Sequence, residues 1–274
     1  MSISQELIDE RIKVKQVRHE LTDFCDTLTD ALSNEHVIDN VMIMRQYTSE
    51  KMRKVLTELG IFKVNSVADL LMVCNPAKYS TFSEWGVLRE DGYSLLVGRY
   101  VFPIRDFAGN VAALVGWAPC EPKYVMTPTY GFVKDAQFFG AEQYIKYVQQ
   151  GEDTVYLVEG FFDALSLRSE GFCAMSNFGL TLSAVKSGIL QRFGKVVVIS
   201  DADAAGRRPF PYVDGDDYAR KKQWRIDNPV TFTQIKVAGV KDVDDLIRLY
   251  DCHDDIYALR SKGPVAFISE QGVQ

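Results

Sequence analysis

The chain has 274 residues, of which 47% are hydrophobic and 25% charged, with a formal net charge of −6. These are ordinary values for a soluble globular protein of one large domain or two modest ones. They exclude a chain uniformly coated in basic charge, and no apolar run approaches the ~20 residues needed to span a bilayer.

In chain order, Ile8, Ile12, Val17, Leu21, Phe24, Leu28 and Leu32 recur at near-helical spacing and predict one amphipathic helix over residues 5–32. The N-terminal stretch has no apolar core, and no signal peptide is expected there. After "SNE" at 33–35, two further helices are expected around 36–46 and 49–59. Thr48 or Ser49 caps the second of these and Gly60 stops it. "NSVADLLMVC" reads as a fourth, short helix capped by Asn65 or Ser66. Basic clusters stand at "KVKQVRHE", "EKMRK" (50–54) and "RKKQWR" (220–225); such runs more commonly solvate a helix face than bind phosphate. "GYSLLVGRYVFPIRD" and "NVAALVGWAP" flank the turn sequence "DFAGN" and predict a β-hairpin. "PKYVMTPTYGF" is extended, and "AEQYIKYVQQ" is a short helix.

From residue 153 the rhythm becomes strand–helix–strand. "TVYLVE", "FCAMSN", "KVVVISDAD" and "VTFTQIKV" read as strands, separated by helices in "FFDALSLRSE", "TLSAVKSGILQRF" and "DDYARKKQWRID". Near-continuous apolar strands alternating with helices indicate a parallel sheet covered on both faces. The five cysteines (Cys25, Cys74, Cys120, Cys173, Cys252) contain no C-x-x-C pair and the three histidines lie far apart, so no zinc ribbon is readable and reduced thiols are expected.

Ligands of open parallel sheets gather at the C-terminal ends of the strands, and there three strands end in acid. Glu159 closes "TVYLVE", with Asp163 one helical turn further on. Asp201 and Asp203 close "KVVVISDAD", and Asp242 and Asp244 follow the last strand. Taken singly, Asp203 and Asp242 serve equally well as caps. Gathered on one rim, the acids repel unless a cation shares the site, and hard oxygen donors suit Mg²⁺ or Mn²⁺.

The set "VEGFFDAL", "SDADAAG" and "KDVDDLI", at spacings of about forty residues, resembles the Toprim domain shared by DnaG-type primases, topoisomerases and some nucleases. Its E-G pair matches Glu159-Gly160 and its D-x-D matches Asp201-Ala202-Asp203. Its last acidic site matches Asp242 with Asp244, and "NFGLTLS" is similar to its glycine turn at Gly179. Upstream, "RYVFPIRDFAGNVAALVGW", "PKYVMTP" and "FVKDAQFFG" are similar to runs of DnaG-type primases that topoisomerases and plain Toprim nucleases lack. The resemblance covers about residues 90–250.

The resemblance implies an α/β fold (α+β overall), in which a Toprim parallel sheet flanked by helices follows a mixed α/β subdomain and an N-terminal helical region. The expected boundaries are 1–80 for the helical region, 81–150 for the subdomain, 151–252 for the Toprim domain and 253–274 for a C-terminal tail. It implies a nucleotidyltransferase, a DNA-directed RNA polymerase that makes short RNA primers on single-stranded DNA from ribonucleoside triphosphates. Glu159, Asp201 and Asp203 would be catalytic, and the same three with Asp242 would hold Mg²⁺ or Mn²⁺, supported by Asp163 and Asp244. Lys123, Tyr124 and Lys134 would bind template or primer, with Arg99, Arg105 and Arg207 as further candidates; salt bridges within the hairpin are the alternative for Arg99 and Arg105.

Several features depart from the pattern. Trp117 replaces a family arginine, although tryptophan can stack on a base. Met126 replaces an asparagine, and "PFPYVDGDD" lengthens the loop after Arg207 and Arg208. The zinc-binding module of standard primases and a helicase-interaction domain are expected to be absent, an economy that suits a phage or mobile-element source. The expected location is the cytoplasm, at the replication fork (a host's cytoplasm if phage-encoded), with no membrane association. A replicative helicase or a separate initiation subunit is a further expected partner. A metal-dependent Toprim nuclease and a non-catalytic DNA- or replisome-binding protein are the competing readings.

Overall fold

The computed structural model describes residues 5–72, 79–179, 182–201, 230–234 and 240–250. The chain divides into two units, one of residues 1–45 and 56–132 and the other of residues 46–55 and 133–274. The boundaries expected at 80 and 150 do not coincide with these units. The segment expected as a helical region, 1–80, also contains a strand that joins the sheet of the following hairpin.

In the first unit, helix α1 (Gln5–Leu32) precedes α2 (Glu35–Arg45), and α3 (Glu50–Leu59) begins among the residues of the other unit. Gly60 ends α3 with φ +72°, the left-handed conformation that favours glycine at a helix end. The strands β1 (Phe62–Val64), β2 (Arg99–Arg105), β3 (Val111–Trp117) and β4 (Tyr124–Met126) form an antiparallel sheet in that order. The short helices α4 (Val67–Met72) and α5 (Tyr79–Glu84) lie between β1 and β2 in sequence. Ser66 opens α4: its hydroxyl and amide, with the Asn65 amide, are held by the Asp69 carboxylate.

Every residue of β3 is buried, because the strand is central in its sheet and α1 packs on it. The apolar face of α1 enters this core only from Val17 onward, through Leu21, Phe24, Cys25 and Leu28, whereas Ile8 and Ile12 are exposed. Phe24, Phe82 and Trp85 pack together with ring centroids 4.9–5.4 Å apart. The "KVKQVRHE" cluster is spent on ion pairs at two positions, Lys13 with Glu84 (2.7 Å) and Arg18 with Asp106 (2.9 Å).

In the second unit, α6 (Gln143–Gln149) leads to β5 (Thr154–Val158), α7 (Phe161–Ser169), β6 (Ala174–Ser176), α8 (Ala184–Leu190), β7 (Lys195–Ser200), β8 (Val230–Gln234) and α9 (Val243–Tyr250). The four strands are parallel in the order β6-β5-β7-β8. Every residue of α7 is buried, and α9 packs against it. No helix among the described residues is long and apolar enough to cross a membrane.

Candidate active site

The strand order creates the site. From β5 the chain moves outward to β6, then returns past β5 to reach β7, so the direction of winding reverses between β5 and β7. At such a switch point the two crossover helices lie on opposite faces, and a crevice opens beyond the carboxyl ends of the two strands. Glu159 follows the last residue of β5 and Asp201 follows the last residue of β7. Both are partly exposed, and the Asp201 amide donates a long hydrogen bond, 3.5 Å, to Glu159 Oε1.

The glycine after Glu159 is required by space. Gly160 has an ordinary φ of −93° and is the N-cap of α7. Its amide donates to Asp163 Oδ2 at 3.1 Å, and a Cβ at this position would lie 2.6 Å from that oxygen. Asp163 is fixed from its other side, since Oδ1 accepts the Asp244 amide at 3.0 Å. Gly160→Ala is therefore expected to cost about 1–3 kcal/mol by overpacking. Equal denaturation midpoints for the variant and the parent would remove the close approach from this account.

Asp163 and Asp244 are buried, with their oxygens engaged by the protein. Asp244 Oδ1 accepts the Tyr47 hydroxyl (2.7 Å) and the Ser166 hydroxyl (2.5 Å), and Oδ2 lies 3.4 Å from Arg248 Nε. These two acids tie the tip of β5 to the start of α9. Asp242 stands at that start: its carboxylate accepts the Asp245 amide (2.8 Å) and its carbonyl accepts the Leu246 amide (3.1 Å), as a helix cap does. Asp203 and Arg207 lie outside the described residues.

Two of these acids, Asp163 and Asp242, hold their protons more tightly than usual. Burial pushes the Asp163 carboxyl well above its usual range, and the negative charges of Asp242, Asp201 and Asp244 add to this. Burial also raises Asp242, against the opposing Asp245 amide. A carboxyl with a raised folded-state pKa favours folding at low pH, and that contribution is lost as pH rises through the raised value. At neutral pH the cluster therefore works against the fold unless positive charge enters it. Among the described residues no three His, Cys, Asp or Glu side chains are gathered as a cation cage. The donor set is nevertheless all oxygen, and its crowded charge suits a hard divalent ion.

Arg99 donates to the Pro122 carbonyl (2.8 Å), and Arg105 pairs with Asp26 (3.1 Å) and donates to the Gly109 carbonyl (3.0 Å). For Arg105 the structure shows a salt bridge, though to Asp26 of α1 rather than within the hairpin. Lys123 is exposed in the turn before β4, Tyr124 is exposed on β4, and Lys134 is exposed on a short 3-10 turn, residues 134–136. Trp117 is buried against Tyr100, with ring centroids 5.9 Å apart, so it is not open to stack on a base.

One group near the site was missed by sequence reasoning. Lys186 is buried on α8, four residues before the equally buried Leu190, and that inward register was its one signal. Its ammonium donates to the Asn177 carbonyl at 2.8 Å. Ser176 and Gly179 were likewise not foreseen as the donors that hold the Glu159 carbonyl, at 2.7 and 3.2 Å.

Comparison with known proteins gives similarities of sequence and of fold. Residues 156–247 match the Toprim-like family. A DNA primase of Clostridium acetobutylicum is 29% identical over 209 residues, which is 74% of this chain and 30% of that protein. The chain thus spans about a third of the length of that relative. Two solved structures share the fold. The DnaG primase catalytic domain bound to single-stranded DNA gives a TM-score of 0.67 at 20% identity, covering 96% of this chain and 84% of the other. The zinc-binding and RNA polymerase domains of the Aquifex aeolicus primase give 0.69 at 23% identity, covering 99% and 64%.

Proposed function

We propose that this chain, with a Toprim-like domain over residues 156–247, is the catalytic core of a DnaG-type primase that synthesises short RNA primers on single-stranded DNA. The observation that carries the reading is the placement of Glu159 and Asp201 on adjacent strand ends at the switch point of the parallel sheet. The similarity to primases extends well beyond the Toprim-like segment, over 209 residues. In the proposed reaction the primer's 3′-hydroxyl gives its proton to solvent water and its oxygen bonds to the α-phosphorus of a ribonucleoside triphosphate. The bond from that phosphorus to the β-phosphate oxygen breaks and pyrophosphate leaves.

Glu159, Asp201, Asp203 and Asp242 are the residues that would hold Mg²⁺ or Mn²⁺, and a bound divalent ion neutralises charge on the phosphate oxygens. Glu159, at the switch point, presents its carboxylate to the reacting groups. Asp163 and Asp244 act from within the protein, fixing the backbone on which Glu159 and Asp242 stand. The test is incubation with single-stranded DNA, labelled ribonucleotides and Mg²⁺ or Mn²⁺. New oligomers dependent on template are expected, and shortening of the DNA without synthesis would replace a primase by a nuclease.

Lys123 and Lys134 are proposed to contact backbone phosphate. Both are exposed, and no ion pair involving either is seen among the described residues. Replacing each by alanine is expected to weaken single-stranded DNA binding and to flatten the slope of log affinity against log salt by roughly 0.7 per lost contact. Unchanged slopes in both variants, measured by fluorescence anisotropy, would place the nucleic acid elsewhere.

A further inference from the structure

The turn after β6 holds the strand tip that carries Glu159. The Ser176 hydroxyl donates to the Glu159 carbonyl at 2.7 Å and the Gly179 amide donates to it at 3.2 Å, so the turn clamps that peptide from two sides. The Asn177 amide donates to the Val158 carbonyl at 2.9 Å, one residue earlier. The turn is itself strained. Phe178 has φ +58°, a left-handed conformation uncommon for a bulky side chain, and Gly179 has φ +128°. Such a shape persists only where surrounding contacts over-determine it.

Lys186 supplies one of those contacts, and it is placed at a cost. It is 1% exposed, its ammonium donates to the Asn177 carbonyl at 2.8 Å, and it lies over the Phe138 and Phe178 rings, 5.0 and 5.7 Å from their centroids. The two rings and the carbonyl are the partners of a cation. A buried lysine with a neutral hydrogen-bond partner is otherwise costly to keep, which separates this residue from a chance occupant of the core.

We propose that Lys186 is a positioning residue for Glu159, holding the 176–179 turn in the shape that clamps the Glu159 carbonyl and so aims its carboxylate. Burial pushes the Lys186 ammonium down to about 7, with Asp135 opposing that shift and Lys134 adding to it. The catalytic half of the role rests on the primase reading; the clamping half does not.

The experiment compares the parent with Lys186→Met, which keeps an apolar chain and removes the donor and charge. Hydrogen exchange at the Phe178 and Gly179 amides is expected to accelerate by about tenfold or more, the worth of one hydrogen bond to a charged group. Exchange in β5 and β7 should stay unchanged. In primer synthesis kcat should fall about tenfold while KM for ribonucleotide stays within about twofold, because the catalytic group is misaimed and the substrate contacts remain. Lys186→Gln, which keeps a donor, should fall between the two. Unchanged exchange at Phe178 and Gly179, or equal acceleration throughout the strands, would overturn the proposal, as would a rise in KM with kcat intact. If the Met variant does not fold, the same readings on the Gln variant decide. Local loosening of the turn in a protein whose parent makes no primers would sink the primase reading and support the clamp.

Discussion

Glu159→Gln is expected to lower primer synthesis by at least about 10²-fold, the scale of loss when a charge-stabilising group is taken from an active site. The melting temperature should stay within a degree or two of the parent's. The two effects separate because of where the side chain stands. The carboxylate is partly exposed at a strand end, and its contact with the Asp201 amide is long, 3.5 Å, and available to the carbonyl oxygen of a glutamine. The clamp on the residue is made to its main-chain carbonyl, which the substitution leaves in place. What changes is one negative charge at the switch point. Circular dichroism and a primed extension assay on the same preparation provide the check, and near-normal synthesis by a folded variant would remove Glu159 from the chemistry.

Asp244→Ala should show the reverse pattern, with stability lost first and activity following it. The side chain is 1% exposed and accepts hydrogen bonds from Tyr47 and Ser166 while facing Arg248. Its removal leaves a buried serine hydroxyl and a tyrosine hydroxyl without that acceptor, each costing about 1–3 kcal/mol. The Arg248 contribution is discounted, because that side chain is 23% exposed and still meets Asp245. A total of about 3 kcal/mol is expected, read from a denaturant midpoint at unchanged slope. A loss under about 1 kcal/mol would mean that Asp244 is a surface-like acid, free to serve as a ligand.

The sequence by itself determined the elements that depend on local chemistry. Period-3.6 apolar spacing located α1, and Gly60 stopped α3 because a left-handed residue is needed there. Apolar strands alternating with helices specified the parallel sheet, since strands buried on both faces lose their polar alternation. The acids at the ends of "TVYLVE" and "KVVVISDAD" were legible for the same reason, as a carboxylate closing an apolar run marks a strand end in water. Tertiary structure decided the rest. The three-residue β1 carries too short a pattern to read, and its pairing with β2 places it in the sheet of the hairpin. Asp163, Asp201 and Asp242 are alike as sequence, and burial separates the strut from the partly exposed acids. Trp117 lies under Tyr100 because central β3 has no exposed face, which spacing does not reveal. Lys186 was hidden most completely: periodicity treats lysine as a surface residue, and only the carbonyl and the two rings around its ammonium explain why it points inward.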